Sequence, residues 1–267
     1  GPAKASKVVW TLQNLLTAGA DYKDVFHLLP ISCRKNVGKP GTFITEADCA
    51  EVDKVVRATE MYKEPNVGAA KNVDYCEAGQ TVQRVYVEDF ESKDGGWTFD
   101  GDAQEGGWIN GSEVGYRNNT TGKDAAVAWL VEGNNVFLTQ KAPITIPENG
   151  RLRFDHSYMF ATQNDPQDPF GGDGRLDGGL LQYSTDGGAT WKNASELENV
   201  HGEDSTIPAL DNGKGWGAVS NGYGGSRYDL SDLAGQQVQF RFRAAAQTNY
   251  SAWWVDNFKI YSCSGTA

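Results

Sequence analysis

Residues 152–160 read Leu-Arg-Phe-Asp-His-Ser-Tyr-Met-Phe. Leu152, Phe154, His156, Tyr158 and Phe160 fall on one side of a pleated chain, and Arg153, Asp155, Ser157 and Met159 on the other. This period of two marks a strand with one face in a core. It recurs downstream, where Val238, Phe240 and Phe242 alternate with Gln239, Arg241 and Arg243. It begins upstream at Thr81, with Val82, Arg84 and Tyr86, and ends in a last strand from Trp253 to Tyr261. No helix-length pattern interrupts these segments, so the strands pair antiparallel. The fold expected is mainly β: an antiparallel jelly-roll β-sandwich over residues 81–263.

Composition agrees. The 267 residues hold 8 Trp, 11 Tyr, 11 Phe and 32 Gly, a glycine-punctuated, aromatic-rich mixture typical of sandwiches and barrels. The formal net charge is −11. Residues 1–80 are neutral, so the β region carries all of it. Such a field repels nucleic acid and anionic lipid and suits solubility, cation binding or life outside the cell. No run of about 18 apolar residues is present, so no membrane span is expected.

Outside the β region the period is helical. Val8, Val9, Leu12, Leu15 and Leu16 predict a helix over 4–17, ended by Gly19. A second, over about 21–29, should stop at Pro30. Thr45-Glu46-Ala47-Asp48 is a capping-box start for a third, running to about Met61 with Val52, Val55, Val56 and Thr59 inward. Residues 1–63 form a small α-helical segment and 64–80, with Glu64-Pro65-Asn66-Val67-Gly68, a linker. Gly1-Pro2 reads as a protease-cleavage scar outside the fold, which implies further natural chain upstream.

Four cysteines allow three pairings. Cys33–Cys49 and Cys76–Cys263 are favoured, because each closes one unit; buried thiols are the alternative. Disulfides imply an oxidising, extracellular setting.

The candidate chemistry is sparse. His27, His156 and His201 form no HExxH, no CxxC exists and no G-x-S-x-G elbow is present, so no catalytic residue is assigned. His156, on the apolar face of its strand, reads as a satisfied core histidine. Ser184-Thr185-Asp186-Gly187-Gly188-Ala189-Thr190-Trp191 resembles the Asp-box of sialidases, but a propeller needs several copies, and a single one reads as a hairpin turn. Acids offer more. Glu88, Asp89 and Glu91 close the first strand and Asp256 lies in the last; if these strands are neighbours, Asp89, Glu91 and Asp256 converge as a calcium site. The loop 164–178 offers a second, with Asp173 and Asp177. Trp97, Trp108, Trp216 and Tyr223, all in glycine-rich stretches, are candidates for stacking on sugar rings, with core packing as the alternative.

Two stretches bear family resemblances. Lys4-Ala5-Ser6-Lys7-Val8-Val9-Trp10 to Thr17, Ala20 to Val25, and Ile44-Thr45-Glu46-Ala47-Asp48-Cys49 to Met61 resemble the C-terminal helices of thermolysin-like zinc metallopeptidases, with Leu15 in place of that family's Tyr. The family's zinc ligands precede this segment, so zinc would belong only to a parent peptidase. Asp89-Phe90-Glu91 with Gly96-Trp97, Leu152 to His156, Asp177 to Ser184, Tyr228 to Gln236 and Trp253 to Asn257 resemble the MAM-like or immune-inhibitor-A-like jelly rolls appended to secreted bacterial peptidases. That resemblance implies calcium between the first-strand acid and Asp256, with Asn257 replacing a common second Asp. The expected function is a non-catalytic accessory region of a secreted bacterial zinc metallopeptidase. It would stabilise the upstream catalytic domain or dock a polysaccharide, protein or surface. The alternatives are a calcium-dependent glycan- or cell-surface-binding module, or a purely structural adhesive domain.

Overall fold

The computed structural model describes residues 1–16, 20, 22–62, 72–92, 95–101, 105–114, 122–163 and 174–265. The chain divides into two compact units, Gly1–Ala69 and Ala70–Ala267.

The first unit has three helices, α1 (Pro2–Gln13), α2 (Tyr22–Arg34) and α3 (Glu46–Ala58). Val8, Cys33, Ile44 and Cys49 form its core, with Leu29, Val37 and Val52 against them. Pro2 lies in the first turn of α1, where a missing N–H costs nothing, so it belongs to the fold. α2 does not stop at Pro30 but passes through it to Arg34. Its last turn is held by the Cys33–Cys49 disulfide and by an ion pair from Arg34 to Asp53, which offset the lost bond at the proline. The capping box is present: Asp48 N donates to Thr45 Oγ1 at 3.3 Å, and Thr45 N to Asp48 Oδ2 at 2.8 Å. Lys4 also bonds Asp48, and this bond, ahead of the Thr45 backbone amide, holds the carboxyl at about 2. α3 ends at Ala58, three residues before the expected Met61, and Val55 faces solvent while Val56 is buried.

The second unit is the expected sandwich. Its first half contributes β1 (Thr81–Glu88), β2 (Trp97–Phe99), β3 (Gly107–Asn110), β4 (Ala126–Leu130), β5 (Asn135–Gln140), β6 (Ile144–Thr145) and β7 (Arg151–Met159). Then come β8 (Thr162–Gln163), β9 (Gly174–Arg175), β10 (Gly178–Ser184), β11 (Lys192–Asn193) and β12 (Asn199–Val200). The rest are β13 (Ser205–Ile207), β14 (Gly213–Gly215), β15 (Gly224–Asp229), β16 (Gln237–Ala245) and β17 (Ser251–Ser264). One sheet has the order β12-β15-β7-β17-β4-β3, with β1 also on β17. The other has the order β11-β10-β16-β5-β2, with β6 also on β16. All pairs are antiparallel.

The sheets close on one aromatic core. Leu152, Phe154 and Phe160 from β7 and its end meet Val238, Phe240 and Phe242 from β16, as their alternation predicts. Around them lie Phe90, Trp97, Trp108, Trp216, Trp253 and Phe258. The outward face of β7 departs from the simple pattern, because Arg153 is only 4% exposed. The segment Asn72–Gln80, assigned to a linker by its composition, lies over it. Arg153 Nε donates to Val73 O at 2.9 Å, Arg227 Nη1 to Asp74 O at 2.6 Å, and Arg151 Nη1 and Tyr261 Oη to Tyr75 O at 3.2 and 2.8 Å. The Cys76–Cys263 disulfide, with Cα atoms 5.8 Å apart, ties this strap to β17.

Candidate functional site

Strap and sheet enclose a cavity of about 260 Å3 lined by Asn72, Tyr75, Arg153, Asp155, Tyr223, Gly224, Asn257 and Lys259. Each wall has a local cause. Period two sends Arg153 and Asp155 outward from β7, and they pair at 2.8 Å. Arg153 stacks 4.4 Å from the centre of the Tyr75 ring and gives Nη1 to its hydroxyl at 3.0 Å and Nη2 to Asn72 Oδ1 at 2.6 Å. Lys259 leaves β17 on the same face and donates to the Tyr75 hydroxyl at 2.9 Å. Tyr223 belongs both to the cavity and to a small apolar cluster with Ile109, Val127 and Trp254. Burial first, then the charges of Asp256 and Asp155, push its phenol well above the usual range, so it is neutral. The cavity thus presents two aromatic rings, two cations, one carboxylate and two side-chain amides.

Of the four aromatic residues proposed for sugars, Tyr223 alone reaches this cavity. Trp97, Trp108 and Trp216 are 1%, 0% and 3% exposed and are core residues, which corrects that expectation. Their glycine neighbours mark close backbone packing rather than open loops. A Cβ on Gly107 would sit 2.7 Å from Gly101 Cα, and one on Gly215 2.8 Å from Gly179 O. Asn72, Tyr75, Arg153, Asp155 and Lys259 were not singled out as binding residues, because their juxtaposition depends on strap contacts across some eighty residues or more.

The acidic candidates are differently placed. Asp177 is fully buried and already satisfied: Oδ1 accepts from Gln247 N, and Oδ2 from the Thr248 and Ser251 hydroxyls, each at 2.7 Å. It is a latch on the 247–251 turn, with three of its acceptor positions taken up within the fold. Asp173 lies outside the described residues. At the other corner, β17 pairs with β4 up to Val255↔Ala126 and with β1 from Phe258↔Glu88. Asp256 and Asn257 occupy the gap, with Asn257 at φ +52°. Asp124 leads into β4, and Asp89 to Glu91 lead away from β1. Glu91 Oε1 accepts from Lys123 N and Asp124 N at 2.7 and 3.1 Å, Asn110 Nδ2 donates to Phe90 O at 2.7 Å, and Asp89 Oδ1 accepts from Glu91 N. Asp256 is wholly buried, and Asp124 Oδ1 is buried with no hydrogen-bond partner among the described residues. Among the described residues no three of His, Cys, Asp and Glu cluster as metal ligands. Asp89 and Glu91 are exposed rather than gathered on Asp256.

His156 is a core histidine, as read. Its Nδ1 accepts from Trp253 Nε1 at 3.2 Å, and its Nε2 lies 3.0 Å from Ser226 Oγ. The octapeptide 184–191 is a turn, as read: Thr190 N donates to Asp186 Oδ1 at 2.9 Å, Gly188 N to Ser184 Oγ at 2.8 Å, and Trp191 Nε1 to Gly188 O at 3.0 Å.

Fold and cavity together define an antiparallel β-sandwich with a polar, aromatic-walled recess on one outer face. No family profile and no curated protein matches the chain. Among solved structures it is similar to TmCBM61, determined with β-1,4-galactotriose, at 14% identity over 66% of this chain and 99% of that one (TM-score 0.36). It is similar to the K2 cleaved adhesin domain of Lys-gingipain at 14% identity over 67% and 98% (TM-score 0.40). It is also similar to the CBM22-1 xylan-binding domain of Paenibacillus barcinonensis Xyn10C at 12% identity over 74% and 100% (TM-score 0.34).

Proposed function

We propose that this chain is a non-catalytic binding module that holds a saccharide unit in the cavity beneath the strap. The observation that carries the reading is the lining itself. Tyr223 offers ring surface for sugar C–H groups, while the Arg153-stacked Tyr75 through its hydroxyl, with Arg153, Lys259, Asp155, Asn72 and Asn257, supplies donors and acceptors. A pyranose, whose hydroxyls both donate and accept, complements such a wall, and nothing in it is arranged as nucleophile and base. The test is retention of the full chain on a panel of polysaccharides by affinity electrophoresis. Wild type is retained by at least one polysaccharide and Tyr223→Ala moves as if none were present. Equal retention of both proteins, or no retention of wild type by any polysaccharide, rejects the reading.

In its larger setting, we propose that the chain is the accessory region of a secreted bacterial zinc metallopeptidase, docking substrate or surface for a catalytic domain upstream. The support is the resemblance of α1 and α3 to that family's closing helices, together with two disulfides of the kind kept in oxidising compartments. An HExxH motif in the coding sequence upstream is the expected finding; its absence overturns this part.

A second reading, calcium at the corner of Glu91, Asp124 and Asp256, is favoured by the unpartnered buried Asp124 Oδ1. Calcium accepts backbone and amide oxygens as well as carboxylates, so it does not require three clustered acids. Glu91, Asp124 and Asp256 would hold it, and its role would be to tie β1 and β4 to β17.

A further inference from the structure

The outer face of the second sheet carries a feature independent of the cavity. Arg241 points outward from β16 and lies between two rings, its Cζ 4.2 Å from the centre of Trp191 and 4.4 Å from that of Phe137. Nε donates to Gln182 Oε1 at 2.7 Å, and Gln182 Nε2 donates to Asn193 Oδ1 at 2.9 Å. Trp191 is itself held by the 184–191 turn. The plane and direction of the guanidinium are therefore set before any ligand arrives.

Of the five N–H donors of an arginine, this contact uses one. Among the described residues no acceptor takes the hydrogens of Nη1 or Nη2, and no carboxylate pairs with Arg241. Arg243, two residues on, adds a second cation, paired at 3.0 Å with a highly exposed Asp211. Burial, then the charge of Arg243, lower the Arg241 pKa to about 10, which leaves it protonated at neutral pH. A half-desolvated, immobilised cation with four open donors is complementary to a planar anion.

We propose that Arg241 anchors a second ligand site, on the outer face of the second sheet, that takes the carboxylate of a uronic-acid-containing polysaccharide end-on through Nη1 and Nη2. A polysaccharide is favoured over an acidic peptide by what the sheet offers. The main-chain groups of β16 are used by β10 on one side and β5 on the other, so an extended peptide finds no ladder to join. What remains is side chains: Gln182 and Asn193 amides, the Thr139 hydroxyl and the edges of Trp191 and Phe137, which suit sugar hydroxyls and C–H groups.

The test is a titration of the full chain with galacturonate, glucuronate and mannuronate oligomers, the methyl esters of the same oligomers, and poly-glutamate. At least one uronate oligomer should bind. Arg241→Gln should weaken it tenfold or more, and Arg241→Lys, which keeps charge but loses the fork, should also weaken it. The ester should bind no better than the Arg241→Gln protein binds the acid. Tyr223→Ala, in the cavity, should leave uronate affinity unchanged, so failure here and failure of the cavity reading are separable. Side-chain Nε–H resonances of wild-type arginines keep the test valid if Arg241→Gln misfolds: the Arg241 signal should move with uronate and not with ester. No uronate binding, equal binding of acid and ester, an unmoved Arg241 signal, or preference for poly-glutamate each overturns the proposal.

Discussion

Two ionisable side chains, His156 and Glu203, sit in the core of the sandwich and pull its stability in opposite directions as pH changes. Burial holds the His156 imidazole down at about 3, and accepting from Trp253 places its proton on Nε2. Burial pushes the Glu203 carboxyl up to about 7, offset in part by the Tyr228 hydroxyl and the Leu181 amide. The unfolded chain protonates His156 below 6.5, whereas the native state does not until about 3. Stability is therefore lost as pH falls through that window, by about 5 kcal/mol in all. For Glu203 the native state keeps a proton that the unfolded chain has shed between 4.5 and about 7. Stability is lost as pH rises through that window, by about 3 kcal/mol. Between 4.5 and 6.5 the two slopes cancel. Glu203→Gln should remove one of them, so that the variant loses stability steadily from pH 6.5 downward where wild type is level. Urea unfolding at a series of pH values measures this, and parallel profiles for the two proteins would contradict it. Asp177→Ala should cost about 3 kcal/mol in the same assay, since three buried or half-buried donors lose their acceptor. A loss within experimental error of zero would remove the latch from the account of the 247–251 turn.

At the scale of elements, the strap Asn72–Gln80 decides whether a cavity exists. It has no regular secondary structure; its order comes from three arginines, Tyr261 and a disulfide. Replacing Cys76 and Cys263 together by Ser should lower stability by at most about 5 kcal/mol in the chain-entropy view, the upper figure for so long a loop. It should also weaken polysaccharide retention, whereas replacing Cys33 and Cys49 should leave retention intact. Retention unchanged by loss of the Cys76–Cys263 bond would place the ligand away from the strap. The strands of this unit were legible because burial on one face writes itself as alternation, plainest in 152–160 and 238–242. The strap was not legible. Its carbonyls are held by Arg151, Arg153 and Arg227, and local periodicity carries no trace of partners so distant. The same limit applies to Trp97, Trp108 and Trp216, where glycine marks backbones in contact. Pro30 was misread because propensity weighs a local loss without the tertiary contacts that outweigh it. Residue type and position single out Asp256 and Tyr223, but which groups they meet depends on the register of β17.

For the whole molecule the governing quantity is the charge of −11, all of it beyond residue 80. At the corner where β1 and β4 hand over along β17, Asp124 and Asp256 are buried and Glu91 caps the turn before β4. A buried carboxylate loses hydration, and among the described residues Asp124 Oδ1 has no donor to offset that loss. Under the calcium proposal, an ion at this corner would offset that loss while joining the first and last strands, and so would bind the native state alone. Mass action then raises stability by RT ln(1 + [L]/Kd), about 2.7 kcal/mol at a hundredfold excess over Kd. For a unit of this size that is a rise of roughly 5–10 °C in Tm. Chelator-treated protein should therefore melt higher with millimolar calcium than with sodium chloride of equal ionic strength, which screens the same charges without binding. Glu91→Gln or Asp124→Asn should abolish the rise, while Asp186→Asn, in a turn whose carboxylate is already filled by Thr190 and Ser184, should not. If calcium and sodium give the same Tm, Asp124 is an unpaired buried acid, and Asp124→Leu should then stabilise the sandwich instead of harming it.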